Sequence, residues 1–195
     1  NEYGQLVKSA EGNPFGCTRV RGAVRRELGT RLHVGVTWTR YDPAGWSLGL
    51  TTGRVFRATD LGQFSAASGL DGGSSDWLVA ARLQTAGGLS VHNRMTFDDA
   101  LDISREELLA GYAADRYDLT AGYLWLVADP AENRAQPTSE MVVDAGWDMG
   151  QSWRGGVTGR YDFEAARATR ATLGVAYQTD CATVDLSLSR RFTSS

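Results

Sequence analysis

Few residues of this chain could do chemistry, and their spacing limits what kind. His33 and His92 stand far apart, with no acid or nucleophile at a spacing that would build a triad or a metal site around them. They read as solvated polar side chains, so no catalytic residue, metal ligand or cofactor is expected. Cys17 and Cys181 are too few for a disulfide scaffold or a thiolate metal site. They would permit a disulfide in an oxidising compartment, although sequence does not show the Cα approach that a Cys17–Cys181 bond needs. Acids in the stretches 59–75 and 128–137 could bind divalent cations, but ordinary solvated loops are the simpler reading.

The elements that carry these residues alternate with period two. In Cys181 to Ser195, Val184, Leu186 and Leu188 are apolar, and Thr183, Asp185, Ser187, Ser189 and Arg191 between them are polar. Successive strand side chains point to opposite faces, so such a segment is greasy on one side only. The pattern recurs upstream. Leu32, Val34, Val36 and Trp38 share one face, as do Trp77, Val79, Ala81 and Leu83, and Leu173, Val175 and Tyr177. Asp42–Gly45 and Gly87-Gly88 mark hairpins. Residues 1–30 are poorly defined, with a possible first strand at Arg19–Glu27, and the regular pattern runs from 31 to 195.

The 195 residues are 42% hydrophobic with a net charge of −3, which suits one folded domain. No apolar run is long enough for a spanning helix, a test that a membrane barrel escapes because its strands are only half apolar. The basic residues are nearly all arginine and are dispersed, so a nucleic-acid partner is not expected. From residue 76 onward the connections read short, long, short, long, short, medium, short, as in barrels with short periplasmic turns and long outer loops. Parity sharpens the turns. The apolar set switches parity between Tyr177 and Val184, which predicts a two-residue turn at Thr179-Asp180. The same argument predicts Ala114-Asp115, and an odd-length turn at Met149 to Gln151 that sets Glu140 opposite Arg160.

The opposite face combines Gly35, Gly111, Gly122, Gly146, Gly156 and Gly174 with charge. His33, His92, Asp118, Glu140, Asp144, Arg160 and Asp185 belong to it and are read as lumen-facing. Leu173, Val175, Val184, Leu186 and Leu188 are read as lipid-facing. A dry core could not solvate such charges, whereas a wet or plugged lumen could. Trp38, Trp46, Trp77, Tyr117, Trp125, Trp147, Trp153, Tyr161 and Tyr177 fall mostly near strand ends on the apolar face, where membrane barrels carry aromatic girdles. The expected fold is therefore all-β, an antiparallel up-and-down transmembrane barrel segment of about ten or eleven strands. A soluble barrel or sandwich is the alternative.

The segment from Tyr177 to Ser195 resembles the late barrel of the LPS-assembly family LptD in its alphaproteobacterial form. Gly49–Gly72, with its GRVFRATDLGQFS core, Ser75–Val91 and Asp118–Glu132 look similar to the same family. The resemblance implies a component of the lipopolysaccharide translocon of the bacterial outer membrane, which inserts lipopolysaccharide into the outer leaflet. It implies an LptE-type lipoprotein in the lumen and a periplasmic lipopolysaccharide bridge reached through an N-terminal jellyroll. It also implies a disulfide for Cys181, since family cysteines near a late periplasmic turn bond to the N-terminal domain. By that pattern the chain carries neither the jellyroll nor the gate strands, and reads as a C-terminal piece not competent alone. Two other functions remain open: a complete small barrel serving as a pore or scaffold, and a barrel enzyme, for which the histidines lack company.

Overall fold

The computed structural model describes residues 30–60, 62 and 64–192. Ten strands follow in chain order: β1 (Arg31–Tyr41), β2 (Ser47–Arg57), β3 (Trp77–Gln84), β4 (Leu89–Phe97), β5 (Ile103–Ala114), β6 (Tyr117–Leu126), β7 (Thr138–Asp148), β8 (Trp153–Asp162), β9 (Arg167–Gln178) and β10 (Thr183–Arg191). They form one antiparallel up-and-down sheet in sequence order. The expected all-β class therefore holds. The sheet is open, because β1 and β10 each pair on one side only. Cys17 and the possible strand at Arg19–Glu27 lie outside the described residues.

Alternation gives the sheet its two faces. A row of directly opposed residues on one face runs Leu50, Ala81, Asn93, Leu108, Tyr123, Met141, Tyr161 from β2 to β8. On the other face Arg82 stands opposite His92, Thr120 opposite Asp144, and Ala176 opposite Asp185. Bulges at Thr96/Phe97 and Arg160/Tyr161 interrupt the ladders near strand ends. No second layer covers the apolar face. Among the described residues the one buried large apolar side chain is Leu78, at 6% exposure, while Leu186 and Leu188 are 70% and 76% exposed. An apolar surface of this extent needs a covering phase or partner.

Two hairpins use glycine where the backbone requires it. At Asp42–Trp46 the Asp42 amide donates to the Trp46 carbonyl at 2.9 Å, and Gly45 turns the chain at φ +85. At Thr85–Leu89 Gly88 does the same at φ +83. A third loop residue in the left-handed region matches the twist of the flanking strands.

The other three turns keep their expected parity but sit one residue further along. The β5–β6 turn is Asp115-Arg116, closed by the pair Ala114 and Tyr117, rather than Ala114-Asp115. In the β9–β10 hairpin the Thr179 amide donates to the Ala182 carbonyl at 2.8 Å, so Asp180-Cys181 form the turn rather than Thr179-Asp180. Cys181 is thus exposed at the tip of the turn, and not at the start of the next strand. In the β7–β8 hairpin the Met149 amide donates to the Trp153 carbonyl at 2.8 Å, so Gly150–Ser152 make the turn rather than Met149–Gln151. Moving a turn by one residue moves the pairing by two, which leaves every side chain on its face. Glu140 therefore stands opposite Asp162, and Arg160 opposite Val142. Arg160 still reaches Glu140 diagonally, placing a cation beside two opposed carboxylates.

The loop-length pattern also narrows. At the end away from these turns, residues 58–76 and 127–137 make long connections, while Asp98–Asp102 and Phe163–Ala166 are as short as the turns at the other end. Two long loops, rather than strict alternation, distinguish the two ends.

Candidate functional site

The polar face gathers most of the charge. Arg154 on β8 hydrogen-bonds Asp118 on β6 and also donates to Asp148 on β7 at 2.8 Å, so one guanidinium ties three strands. It crosses β7 above Gly146, where an added Cβ would stand 2.5 Å from Arg154 Nη2 and 2.7 Å from an Asp118 oxygen. Gly146, Gly156 and Gly174 stand in register across β7, β8 and β9. The row after them carries Asp144, Thr158 and Thr172, and the Thr158 hydroxyl donates to Asp144 at 2.5 Å. Toward β3–β5 the face is basic, with Arg82, His92, Arg94 and Arg105, and Glu107 paired to Arg105. Half-exposed pairs of this kind contribute little stability each, but together they fix side-chain positions along a wet surface.

All seven residues expected to face a lumen lie on this face: His33, His92, Asp118, Glu140, Asp144, Arg160 and Asp185. The structure does not bring them to one point. His33 is on β1 opposite Val55, and His92 is on β4 between Arg82 and Leu109. Leu173, Val175, Val184, Leu186 and Leu188 share the apolar face across β9 and β10. Of the nine aromatic residues singled out above, the eight in strands are on that face too, as strand parity requires, and Trp46 is in the β1–β2 turn. Trp38, Trp46, Tyr117, Trp147, Trp153 and Tyr177 cluster toward the short-turn end, and Trp77, Trp125 and Tyr161 toward the long-loop end. Trp153 and Tyr177 stack at 4.7 Å, and the Trp147 ring folds over Gly155, where a Cβ would meet it at 2.6 Å.

Some polar residues escape the alternation. Asn93 and Glu106 stand on the apolar face and hydrogen-bond each other at 3.4 Å. Arg54, also on that face, donates to both oxygens of Asp99 at 2.7 and 2.8 Å and to the Ser75 carbonyl at 2.6 Å, with the Trp77 ring 5.4 Å away. Ser104 donates to Asp76 at 2.5 Å, and Ser65 donates to Asp129 at 2.5 Å. These contacts tie the long-loop end together across distant parts of the chain, so no local period announces them.

The hydrogen bonds from Arg54 hold the Asp99 carboxyl below the usual carboxylate range. A depressed carboxylate stabilises the fold above its unfolded pKa, and that contribution is lost as pH falls through the folded pKa. The Trp77 indole resonance should therefore stay constant from neutral pH down through the ordinary carboxylate range and shift only in more acidic solution. Asp99→Asn should give the released signal at every pH. A Trp77 shift at the ordinary aspartate pKa would show that the clamp is not formed.

Comparison with known proteins adds three findings. Variants of the Rh. blastica porin are similar in shape at TM-scores of 0.42 and 0.43, with 13% and 12% identity, covering 83% of this chain and 74% of the porin. No curated protein matches the chain. The model of the family LptD, LPS transport system D, matches residues 5–138. That span takes in residues before β1 and ends within β7, ahead of the hairpin around Cys181. Since it covers more than half of a two-faced, up-and-down sheet, the chain belongs to the LptD family and is a lipopolysaccharide-transport component.

Proposed function

We propose that the sheet is part of the wall of an outer-membrane barrel through which lipopolysaccharide passes to the outer leaflet. The observation that carries this is the segregation of the two faces in a chain of the LptD family. Twenty-odd large apolar side chains stand exposed, most of them on one face, while arginines and carboxylates form cross-strand pairs on the other. Lipid covers the first face, and the second borders a hydrated lumen. An LptE-type lipoprotein and the sugar-phosphate part of lipopolysaccharide meet the polar face. The periplasmic lipopolysaccharide bridge engages the family's N-terminal jellyroll, to which Cys181 would be bonded. Wall and lumen position the cargo, and no side chain performs a reaction on it. The short turns, including Asp180-Cys181, face the periplasm, and the loops 58–76 and 127–137 face outward.

Site-specific photocrosslinking in cells tests this. A photoreactive residue at Asp144 or Thr158 should capture the lipoprotein or lipopolysaccharide. One at Leu173 or Leu186 should capture only membrane lipid. Capture of the lipoprotein from Leu173 or Leu186, with none from Asp144 or Thr158, would reverse the assignment of the faces and overturn the reading.

A further inference from the structure

The segment Phe64–Asp76 returns from the outer loop toward β3, and it lies against the polar face. Arg57 is on that face, directly opposite Arg31, two residues along from the pair His33 and Val55. The Phe64 ring sits 5.4 Å from its guanidinium, and Arg57 Nη1 donates to the Gly72 carbonyl at 3.5 Å. The segment's other end is fastened to β2: the Arg57 amide donates to the Gly73 carbonyl at 2.7 Å, the Ser75 amide to the Val55 carbonyl at 2.8 Å, and the Val55 amide to the Ser75 hydroxyl at 2.9 Å. Leu78, the one buried large apolar side chain among the described residues, is on the same face opposite Gly53, itself buried. Both lie at the end of the sheet where this segment runs.

Its tip is held far from its base. Ser65 Oγ donates at 2.5 Å to Asp129 Oδ2 in the β6–β7 connection. Three strands, β3 to β5, separate β2 from β6, so the contact spans roughly 19 Å of sheet at ~4.8 Å per strand. Asp129 is 2% exposed and is fixed by the Ala131 amide at 3.1 Å and by a two-way backbone bridge to Arg134. A rigid acceptor thus faces a hydroxyl at the tip of the segment, while its ties to β2 and β5 are gathered at its base, from Gly72 to Asp76.

We propose that Phe64–Asp76 is a cover over the long-loop end of the polar face, latched by the Ser65–Asp129 hydrogen bond, and that opening the latch exposes Leu78 and the basic residues next to it, Arg94 and Arg105, to solutes. Thr96 and Arg105 follow Leu78 across β4 and β5, Arg94 is in the next row on the same face, and Arg94 Nε has no hydrogen-bond partner in the closed arrangement. The cover would then gate an anion-accepting stretch of the polar face. This goes beyond the transport reading and rests on the contacts of the segment and on which residues share a face.

The test is thiol labelling of the folded chain in detergent with a charged maleimide. In a Leu78→Cys chain, adding Ser65→Ala should raise the labelling rate at position 78 about tenfold, the effect of losing one hydrogen bond to a carboxylate. Cys181 is exposed at its turn and should label at one rate throughout, as the internal control. If Leu78→Cys fails to fold, Thr96→Cys, directly opposite Leu78 on β4, takes its place. Equal rates with and without Ser65→Ala would overturn the latch. Labelling as fast as Cys181 in the chain that keeps Ser65 would overturn the cover.

Discussion

Gly88→Ala is expected to destabilise the chain by about 3 kcal/mol, more than alanine at any other hairpin or loop glycine. Two costs coincide there. Gly88 is at φ +83, in the left-handed region, where an L side chain costs ~1 kcal/mol or more. An added Cβ would also stand 1.9 Å from the Ala113 carbonyl oxygen on β5. Backbone cannot swing aside as a side chain can, so β5 must shift. The shift would break the Ala113 amide's hydrogen bond to the Gly88 carbonyl, 3.0 Å in the native fold, at a further ~1 kcal/mol.

Two other glycines separate these terms. Gly72 is at φ +73 with nothing within 4 Å of an added Cβ, so Gly72→Ala should cost the backbone term alone. Gly45 is at φ +85 and faces the Ala86 methyl at 2.8 Å, a contact that needs a small adjustment, so Gly45→Ala should fall between the two. Urea unfolding in detergent micelles should give the order Gly72, Gly45, Gly88 by increasing loss. Equal losses at Gly72 and Gly88 would show that left-handed strain dominates and that the β4–β5 approach is looser than the structure has it.

The faces of the sheet were legible in the sequence because period two leaves only two choices. A slip of one residue would send Leu173, Val175 and Tyr177 to the charged side, and the hydrophobic pattern forbids it. The turns were legible in length but not in place for the same reason. Moving Thr179-Asp180 to Asp180-Cys181 preserves every face, so parity cannot choose between them, and the backbone geometry that does choose has no signature in apolar spacing. The ion pair between Glu140 and Arg160 survives the shift because arginine is long enough to reach a diagonal neighbour.

The loop contacts were not legible at all. Ser65 and Asp129 are 64 positions apart, and each reads as an ordinary loop residue. Only the closing of β3 to β6 between them brings the two loops together. The pair Asn93 and Glu106 is a different case. It breaks the alternation of β4 and β5 openly, and pairing each with the other on adjacent strands is the physical remedy for two polar groups on an apolar face.

Val157→Arg should cost ~2–4 kcal/mol in a bilayer, while Thr158→Arg, one residue along the same strand, should be close to neutral. Val157 stands near the middle of β8 between Ala145 and Leu173, 41% exposed on the apolar face. A guanidinium placed there has no acceptor among its directly opposed neighbours, and at mid-strand its stem must run far to reach water. Thr158 points to the other face, directly opposite Asp144 and Thr172. An arginine there loses the hydroxyl's bond to Asp144 and replaces it with an ion pair to the same carboxylate. Depth supplies the control. Val184 is the second residue of β10, close to the short turn, so Val184→Arg should cost only ~0–1 kcal/mol, because the charge can reach the interface. Folding measured by urea titration in phospholipid vesicles should therefore separate Val157 from both others. If the apolar face instead packed against a soluble partner, the loss at Val157→Arg would not depend on whether the chain was in vesicles. Equal losses at Val157 and Val184 would argue against a bilayer spanning the middle of β8.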